Sequence, residues 1–381
     1  MVGVAIEMNA ASQMVSNYTN YLAKLEKSGL LRSLKAQHQG GLDFSSNDYL
    51  GLANSPALLE AGYEAARLYG SGSTGSRLLS GNSDLFEDFE AQIAKDYGTE
   101  TALLFNSGFD ANIGIIPAIS DKTSLIIFDK LNHASLYQGA LLSGAKLLRY
   151  NHLDYTMLGE ILKKNINNHG TIIIASETVF GMDGDRANLK ILADLSSNYN
   201  AILYLDEAHA IGLQGKNGYG LSTDFDLDKN RTIILGTLSK ALGSTGAYVA
   251  CNSLIKNMLI NKCQSFIYST ALAPFCIGAA ARAWKIAKTM TKERRALIET
   301  STRLKNYLKD LGYNVLGNGT NIIPVLFNGP NEVMKKKEDL CKNGLLVSAL
   351  RRPTVAKPRL RIAVNARHTQ NDITKLLSAF S

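Results

Sequence analysis

The chain has little of what would mark a secreted, metal-clustered or membrane-spanning protein. Its four cysteines, Cys251, Cys263, Cys276 and Cys341, contain no C-x-x-C pair. Neither a disulfide framework nor a zinc site is indicated, and unpaired thiols in a reducing cytoplasm are expected. No apolar run approaches the ~20 residues needed to cross a bilayer, so no membrane partner is expected. The opening MVGVAIEMNAASQ has no basic leader followed by an apolar core, and no secretory signal is read there. Charge is not concentrated either. Lys and Arg number 41 against 33 Asp and Glu, a net +8, which on one face would suit a polyanion. The basic residues are dispersed, however, and the longest compact run is Lys335-Lys336-Lys337, with pairs such as Arg351-Arg352 elsewhere. With no accompanying recognition motif, no nucleic-acid partner is expected.

What is present reads as a globular α/β protein. Apolar residues make up 45% and charged residues 19% of 381 positions, enough for a large core and more than one domain of usual size. Short β-rich runs, Ala102 to Phe105, Leu125 to Phe128, Ile172 to Ala175, Ile202 to Leu205, Ile233 to Leu235 and Tyr248 to Ala250, alternate with helical patterns. Near-continuous apolar strands of this kind predict a mostly parallel sheet covered on both faces. Ahead of them, Leu85, Phe86, Phe89, Ile93 and Tyr97 lie at helical spacing, behind an expected capping box of Asp84 and Glu87. From about residue 290 the pattern becomes a charged helix, a strand near Ile322 to Phe327, alternating Leu360, Ile362 and Val364, and a terminal helix carrying Ile373, Leu376, Leu377 and Phe380. The expected division is an N-terminal segment (1–52), a large domain (53–288) and a smaller α+β domain (289–381).

Two glycine-rich stretches invite a nucleotide reading and fail it. Gly70 to Gly75, GSGSTG, satisfies G-x-G-x-x-G, but that fingerprint needs a preceding strand and a following helix. The residues before it, LLEAGYEAARLY, are helical in character. GLQGK at Gly212 to Lys216 is too short for a P-loop.

In open α/β sheets ligands collect at the carboxyl ends of the strands. Those ends carry Asn106-Ser107-Gly108-Phe109-Asp110, a small-residue turn into a helix suited to phosphate. They also carry Asn132-His133, then Ser176-Glu177 with VFGMDGD following, then Asp206-Glu207-Ala208-His209, and finally GTLSKALGSTGAY with Thr237, Ser239 and Lys240. Singly, each has a plainer reading: Asp206-Glu207 as a magnesium ligand or helix cap, His133 as a packed histidine, Lys240 as a surface lysine. Together they suit pyridoxal 5′-phosphate, which needs a lysine for a Schiff base, an acid for its ring nitrogen, and donors for its phosphate.

The same residues stand in motifs that resemble the α-oxoamine synthases, pyridoxal-phosphate enzymes of the type I aminotransferase fold. The resemblance covers SSNDYLGL, GSGSTGSRLLSGN, FNSGFDAN, NHAS, VFGMDGD, LDEAHAIG, GTLSKALGS, IYSTAL and RRPTV, in order, across nearly the whole chain. It implies a large sheet domain binding the cofactor and a smaller C-terminal domain. It also implies that Lys240 is the Schiff-base lysine, that Asp206 meets the ring nitrogen and His209 the phenolic oxygen, and that His133 stacks on the ring. Gly108, Phe109 and Thr237 would bind the cofactor, and Thr270 would reach the phosphate held by the other subunit of a homodimer. Arg32, Asn47, Glu177, Arg351 and Thr354 would contact substrate, Arg351 taking the amino-acid carboxylate. TLSKALGSTGAYVA, IYSTA and RRPTV look most like the branch serving biotin synthesis, which joins L-alanine to a pimeloyl thioester of coenzyme A or acyl carrier protein. A glycine-using ligase is the nearest rival. Two positions depart from the family pattern: Gly181 replaces a usual serine, and Phe86 stands where histidine is common.

Overall fold

The computed structural model describes residues 2–34 and 40–381. In chain order the strands are β1 (Leu42–Asp43), β2 (Thr101–Phe105), β3 (Leu125–Asp129), β4 (Lys146–Tyr150), β5 (Ile172–Glu177), β6 (Ile202–Asp206), β7 (Thr232–Thr237), β8 (Ala247–Cys251), β9 (Ile322–Leu326), β10 (Leu345–Leu346), β11 (Ser348–Leu350) and β12 (Arg359–Ala363). The first five helices are α1 (Val2–Lys27), α2 (Pro56–Tyr69), α3 (Asp84–Tyr97), α4 (Gly108–Ile119) and α5 (Ala134–Ser143).

Seven strands form the central sheet in the order β2-β8-β7-β6-β5-β3-β4. The neighbours from β7 through to β4 pair in parallel, while β8 runs antiparallel to both β2 and β7. Side chains alternate between faces with the period-two geometry of a strand. Ile126 and Phe128 of β3 therefore join one apolar cluster with Ala111 and Ile115 of α4. Leu125 and Ile127 join another on the opposite side, with Leu158, Leu162, Leu189 and Leu192 from two further helices. Burial on both faces explains why these strands read as unbroken apolar runs. The edge strand β4, KLLRY, was hidden because exposed Lys146 and Arg149 interrupt its run, the usual treatment of an edge.

The C-terminal elements form an antiparallel sheet, β11-β12-β9, while β10 pairs in parallel with β1. The terminal helix Gln370–Ser378 is closed by a Thr369/Asp372 capping box. At α3 the expected box does not form. Ser83 is the N-cap without a side-chain cap bond, Asp84 accepts from the adjacent Leu85 amide at 2.9 Å, and Glu87 is taken by the Asn82 amide at 2.8 Å. With Asp84 inside the first turn, its carboxylate is one position too late to cap. The helix seen before Gly70 is α2, as the composition implies. The glycine-rich segment beyond it pairs with the chain around Thr270, through a Ser76–Thr270 bridge and a 2.9 Å bond from the Ala271 amide to Gly75 O.

Candidate active site

The carboxyl ends of β5, β6 and β7 lie side by side, and each delivers one ionisable group to the same place. After β7 the chain turns tightly. Leu238 N donates to Gly246 O and Gly243 N to Lys240 O, both at 2.9 Å. Gly243 has φ +62 and lies against the Ala53 backbone, so both conformation and space select glycine. This turn sets Lys240 Nζ 2.8 Å from His209 Nε2. Burial drives the lysine down to about 8, against the opposing pull of the Asp206 and Glu177 carboxylates, with Arg361 adding to the fall. His209 is buried, and its pKa lies well below the usual value because of that burial and then the Lys240 and Arg361 charges. It is a neutral imidazole.

Hydrogen-bond directions behind His209 follow from the donor inventory. Arg361 can only donate, and its Nη2 reaches Asn47 Oδ1 and Tyr49 OH, each at 2.9 Å. Tyr49 gives its proton to the same Asn47 oxygen at 3.0 Å. The Tyr49 oxygen therefore accepts from His209 Nδ1 at 2.7 Å, which leaves Nε2 bare to accept from Lys240.

Asp206, at the end of β6, accepts from Asn112 Nδ2 and from the Ala208 amide, both at 2.9 Å. Asn112 is buried within α4. It also donates to Ser135 Oγ at 2.9 Å and accepts from Tyr204 OH at 2.8 Å. Ser135 in turn meets His133 Nδ1 at 2.7 Å, so the ring that faces the open side of the site is tied to the carboxylate below it. Glu177, ending β5, is pushed up to about 8 by burial and the Asp206 charge, despite Lys240.

The turn into α4 is built as an anion seat. Ser107 is the N-cap, accepting from the Asp110 amide, and the first-turn amides that follow have no intrahelical acceptor. Thr237 Oγ1 pairs with Ser239 Oγ at 2.7 Å beside it. Thr270 is exposed, its carbonyl held by Asn106 Nδ2 at 2.7 Å.

The segment after β5 is fastened from two directions. Arg361 Nε donates to Gly181 O at 2.7 Å, and Arg359 Nη1 to Asp183 Oδ1 at 2.7 Å and Met182 O at 3.0 Å. From the turn after β4, His152 bridges Asp129 and Asp185 at 2.9 Å each. At Gly181 an added Cβ would stand 2.6 Å from His209 Cδ2 and Cε1 and closer still to Nε2. Any side chain there would overlap the ring as placed. Phe86, the other departure from the family pattern, is buried under the Arg77 guanidinium, 4.1 Å from its ring.

Lys240, His209, Asp206, Glu177, His133, Asn47 and Thr237, all singled out from the sequence, thus gather at one end of the sheet with the Gly108–Phe109 turn. Arg32, Arg351 and Thr354 form a separate group. Arg32 donates to Thr354 Oγ1 at 3.0 Å and Arg351 Nη2 to Leu31 O at 2.9 Å, where the chain after α1 meets the loop leaving β11. Arg361, Tyr49 and Asn112 were missed. Arg359 and Arg361 did leave a signal, since they alternate with Leu360 and Ile362 and so share one face of a strand.

The donors present fit pyridoxal phosphate. A lysine amine is poised near neutrality, a buried carboxylate is held in fixed orientation beneath it, and hydroxyls accompany a free helix N-terminus. Comparisons with known proteins agree. Residues 39–380 match the family model described as aminotransferase class I and II. An 8-amino-7-oxononanoate synthase of Geotalea daltonii is 42% identical over 340 residues, 88% of this chain and 86% of the relative. One from Trichlorobacter lovleyi is 40% identical, covering 94% and 95%. Among solved structures, the 8-amino-7-oxononanoate synthase of Francisella tularensis superposes with a TM-score of 0.79 at 30% identity, over 90% of this chain and 97% of that one. A serine palmitoyltransferase variant from S. paucimobilis with bound pyridoxal phosphate gives 0.86 at 27% identity, over 97% and 96%. The chain therefore belongs to the aminotransferase class I and II family, as a pyridoxal-phosphate-dependent, acyltransferase-type enzyme related to the 8-amino-7-oxononanoate synthases.

Proposed function

We propose that the chain catalyses the decarboxylative condensation of L-alanine with a pimeloyl thioester, of coenzyme A or acyl carrier protein, as the cytoplasmic, homodimeric 8-amino-7-oxononanoate synthase of biotin biosynthesis. A bond forms between the alanine α-carbon and the acyl carbon, thiol leaves, and the alanine carboxylate departs as carbon dioxide. Bound pyridoxal phosphate supplies the electron sink that makes the α-carbon nucleophilic. The observation that carries the reading is Lys240, whose amine is lowered to about 8 and lies among Asp206, Glu177 and His209. An amine with that pKa can take the α-proton near neutral pH.

The remaining residues serve this step by position. Asp206, fixed by Asn112, would hold the cofactor's ring nitrogen and His133 would cover its face. Gly108, Phe109 and Thr237 would hold the phosphate end. Arg361 supports recognition of the amino-acid carboxylate, since its Nη2 meets Asn47 and Tyr49 at the head of the hydrogen-bond chain that runs through His209 to the lysine. The sequence reading gave that role to Arg351. In this proposal Arg32, Arg351 and Thr354 instead meet the anionic parts of the acyl donor. Arg351 has a buried Nε without a hydrogen-bond partner among the described residues. Dimerisation is supported by exposed apolar residues around the site, Phe109, Tyr268 and Leu79, and by Met14, Tyr18 and Tyr21 on α1. Among the described residues no helix is long and apolar enough to cross a membrane.

Thiol release by the cofactor-loaded protein tests the reading. Release with L-alanine plus pimeloyl-CoA, well above that with glycine plus acetyl-CoA, is expected. Preference for the second pair would assign the glycine-using ligase reaction instead.

A further inference from the structure

We propose that Gly181 makes His209 a latch for Lys240 in the cofactor-free chain. The glycine leaves the imidazole room to hold the lysine amine on a one-way hydrogen-bond chain anchored at Arg361. The proposal rests on Lys240 being the cofactor-bearing lysine, and it is independent of which substrates follow.

Three observations carry it. The first is steric: a Cβ at residue 181 would come within 2.6 Å of His209 Cδ2 and Cε1, a separation that carbon atoms in contact, normally at ~3.5–4.0 Å, do not adopt. The ring as placed and any side chain at 181 exclude one another. The second is directional. Arg361 donates to Asn47 Oδ1 and Tyr49 OH, Tyr49 donates to Asn47, and His209 Nδ1 donates to Tyr49. Nε2 is left as an acceptor for Lys240 Nζ at 2.8 Å. The third is anchoring. Arg361 also binds Gly181 O at 2.7 Å, so the residue that ends the chain also positions the backbone that makes room for its ring. The imidazole is thereby fixed in the Nδ1–H tautomer, and the lysine has one partner to leave before it can react.

The consequence is a bias on the amine. A hydrogen bond from Lys240 to a neutral acceptor favours the charged lysine and raises its pKa relative to the same site without that acceptor. The other charged groups facing the amine are Asp206 from β6, Glu177 from β5 and Arg361 from β12. Glu177 accepts from the Gly181 amide at 3.4 Å and Arg361 donates to the Gly181 carbonyl at 2.7 Å, both through backbone atoms that a side-chain change at 181 retains. Gly181→Ser should therefore displace the ring, break the bond and lower the Lys240 pKa, freeing amine at neutral pH.

The test uses the full-length chain freed of pyridoxal phosphate. Trace acetic anhydride labelling as a function of pH, read on the Lys240 peptide by mass spectrometry, reports the amine's midpoint. Long-range proton–nitrogen spectra of histidine-labelled protein report the His209 tautomer. The native chain should show a midpoint near 8 and a His209 with protonated Nδ1 and bare Nε2. G181S should lower the midpoint by roughly half to one unit and move the Nε2 signal. Should G181S fail to fold, G181A adds only the Cβ, and Y49F removes the hydroxyl that selects the tautomer. An unchanged or raised midpoint in the residue-181 variants would overturn the latch. So would a native His209 protonated on Nε2. Neither result bears on the thiol-release assay.

Discussion

Lys240 is where burial and charge compete most directly. Burial lowers its proton affinity, Asp206 and Glu177 restore part of it, and the outcome is a pKa of about 8. Because only the free amine attacks an aldehyde, uptake of pyridoxal phosphate by the cofactor-free chain should accelerate as pH rises through about 8. Stopped-flow absorbance would show this, and a flat profile from pH 6.5 to 9.5 would contradict it. Arg361 gives a second expectation. Replacing it with Ala removes a charge-assisted contact worth about 1.5–3 kcal/mol, which raises KM for the amino acid by roughly ten- to a hundredfold. R361K keeps the charge without the fork, and steady-state kinetics should place it between the two. An R361A enzyme with native KM would exclude the guanidinium from carboxylate recognition. At this scale the gathering of the strand-end residues was largely legible, because residues that end parallel strands face a common edge. Tyr49, Asn112 and Arg361 were not, since their roles depend on contacts across 160, 94 and 180 positions of chain respectively, to His209, Asp206 and Gly181. No local spacing announces such contacts.

At the scale of elements, the segment Val179 to Arg186 shows how the site is kept in shape. It closes on itself through a bridge between those two residues and is gripped by Arg359 and Arg361 from β12 and by His152 from the end of β4. Burial alone would lower the His152 pKa, but hydrogen bonds and charge from Asp129 and Asp185 outweigh it and raise the value to about 10. The folded pKa is above the unfolded one, ordinarily ~6.5. The stabilisation from the charged ring is therefore complete below about 6.5 and lost as pH rises through about 10. Urea midpoints of the native chain and His152→Asn should thus differ most near pH 6.5 and converge toward pH 10. A difference independent of pH would show that the ring acts by packing alone. Helices and buried strands were readable from period and apolar content. The clamp was not, because His152 lies in the turn after β4 and no local spacing links it, or the alternating Arg359 and Arg361 of β12, to the acidic and carbonyl partners they hold.

For the whole molecule, one apolar cluster runs from Phe44 and Tyr49 through Leu242 and Trp284 to Ile362 and Phe380. The segment preceding the large sheet, the sheet's own margin and the C-terminal elements thus share a core. This is why Asn47 and Arg361, near opposite ends of the chain, meet beside Lys240. The parallel sheet was foreseeable because both its faces are covered. The pairing of β1 with β10 was not, since two-residue strands carry no pattern. The proposed homodimer would cover the exposed apolar residues near the site. Light scattering should give twice the 41.3 kDa chain mass, and a monomer would remove the second-subunit role of Thr270.

The most direct test of the central claim is to load the protein with pyridoxal phosphate, reduce it with borohydride and map the modified peptide. The account predicts a single stable pyridoxyl adduct on Lys240, absent in Lys240→Ala. An adduct chiefly on another lysine, or an undiminished one in that variant, would contradict it.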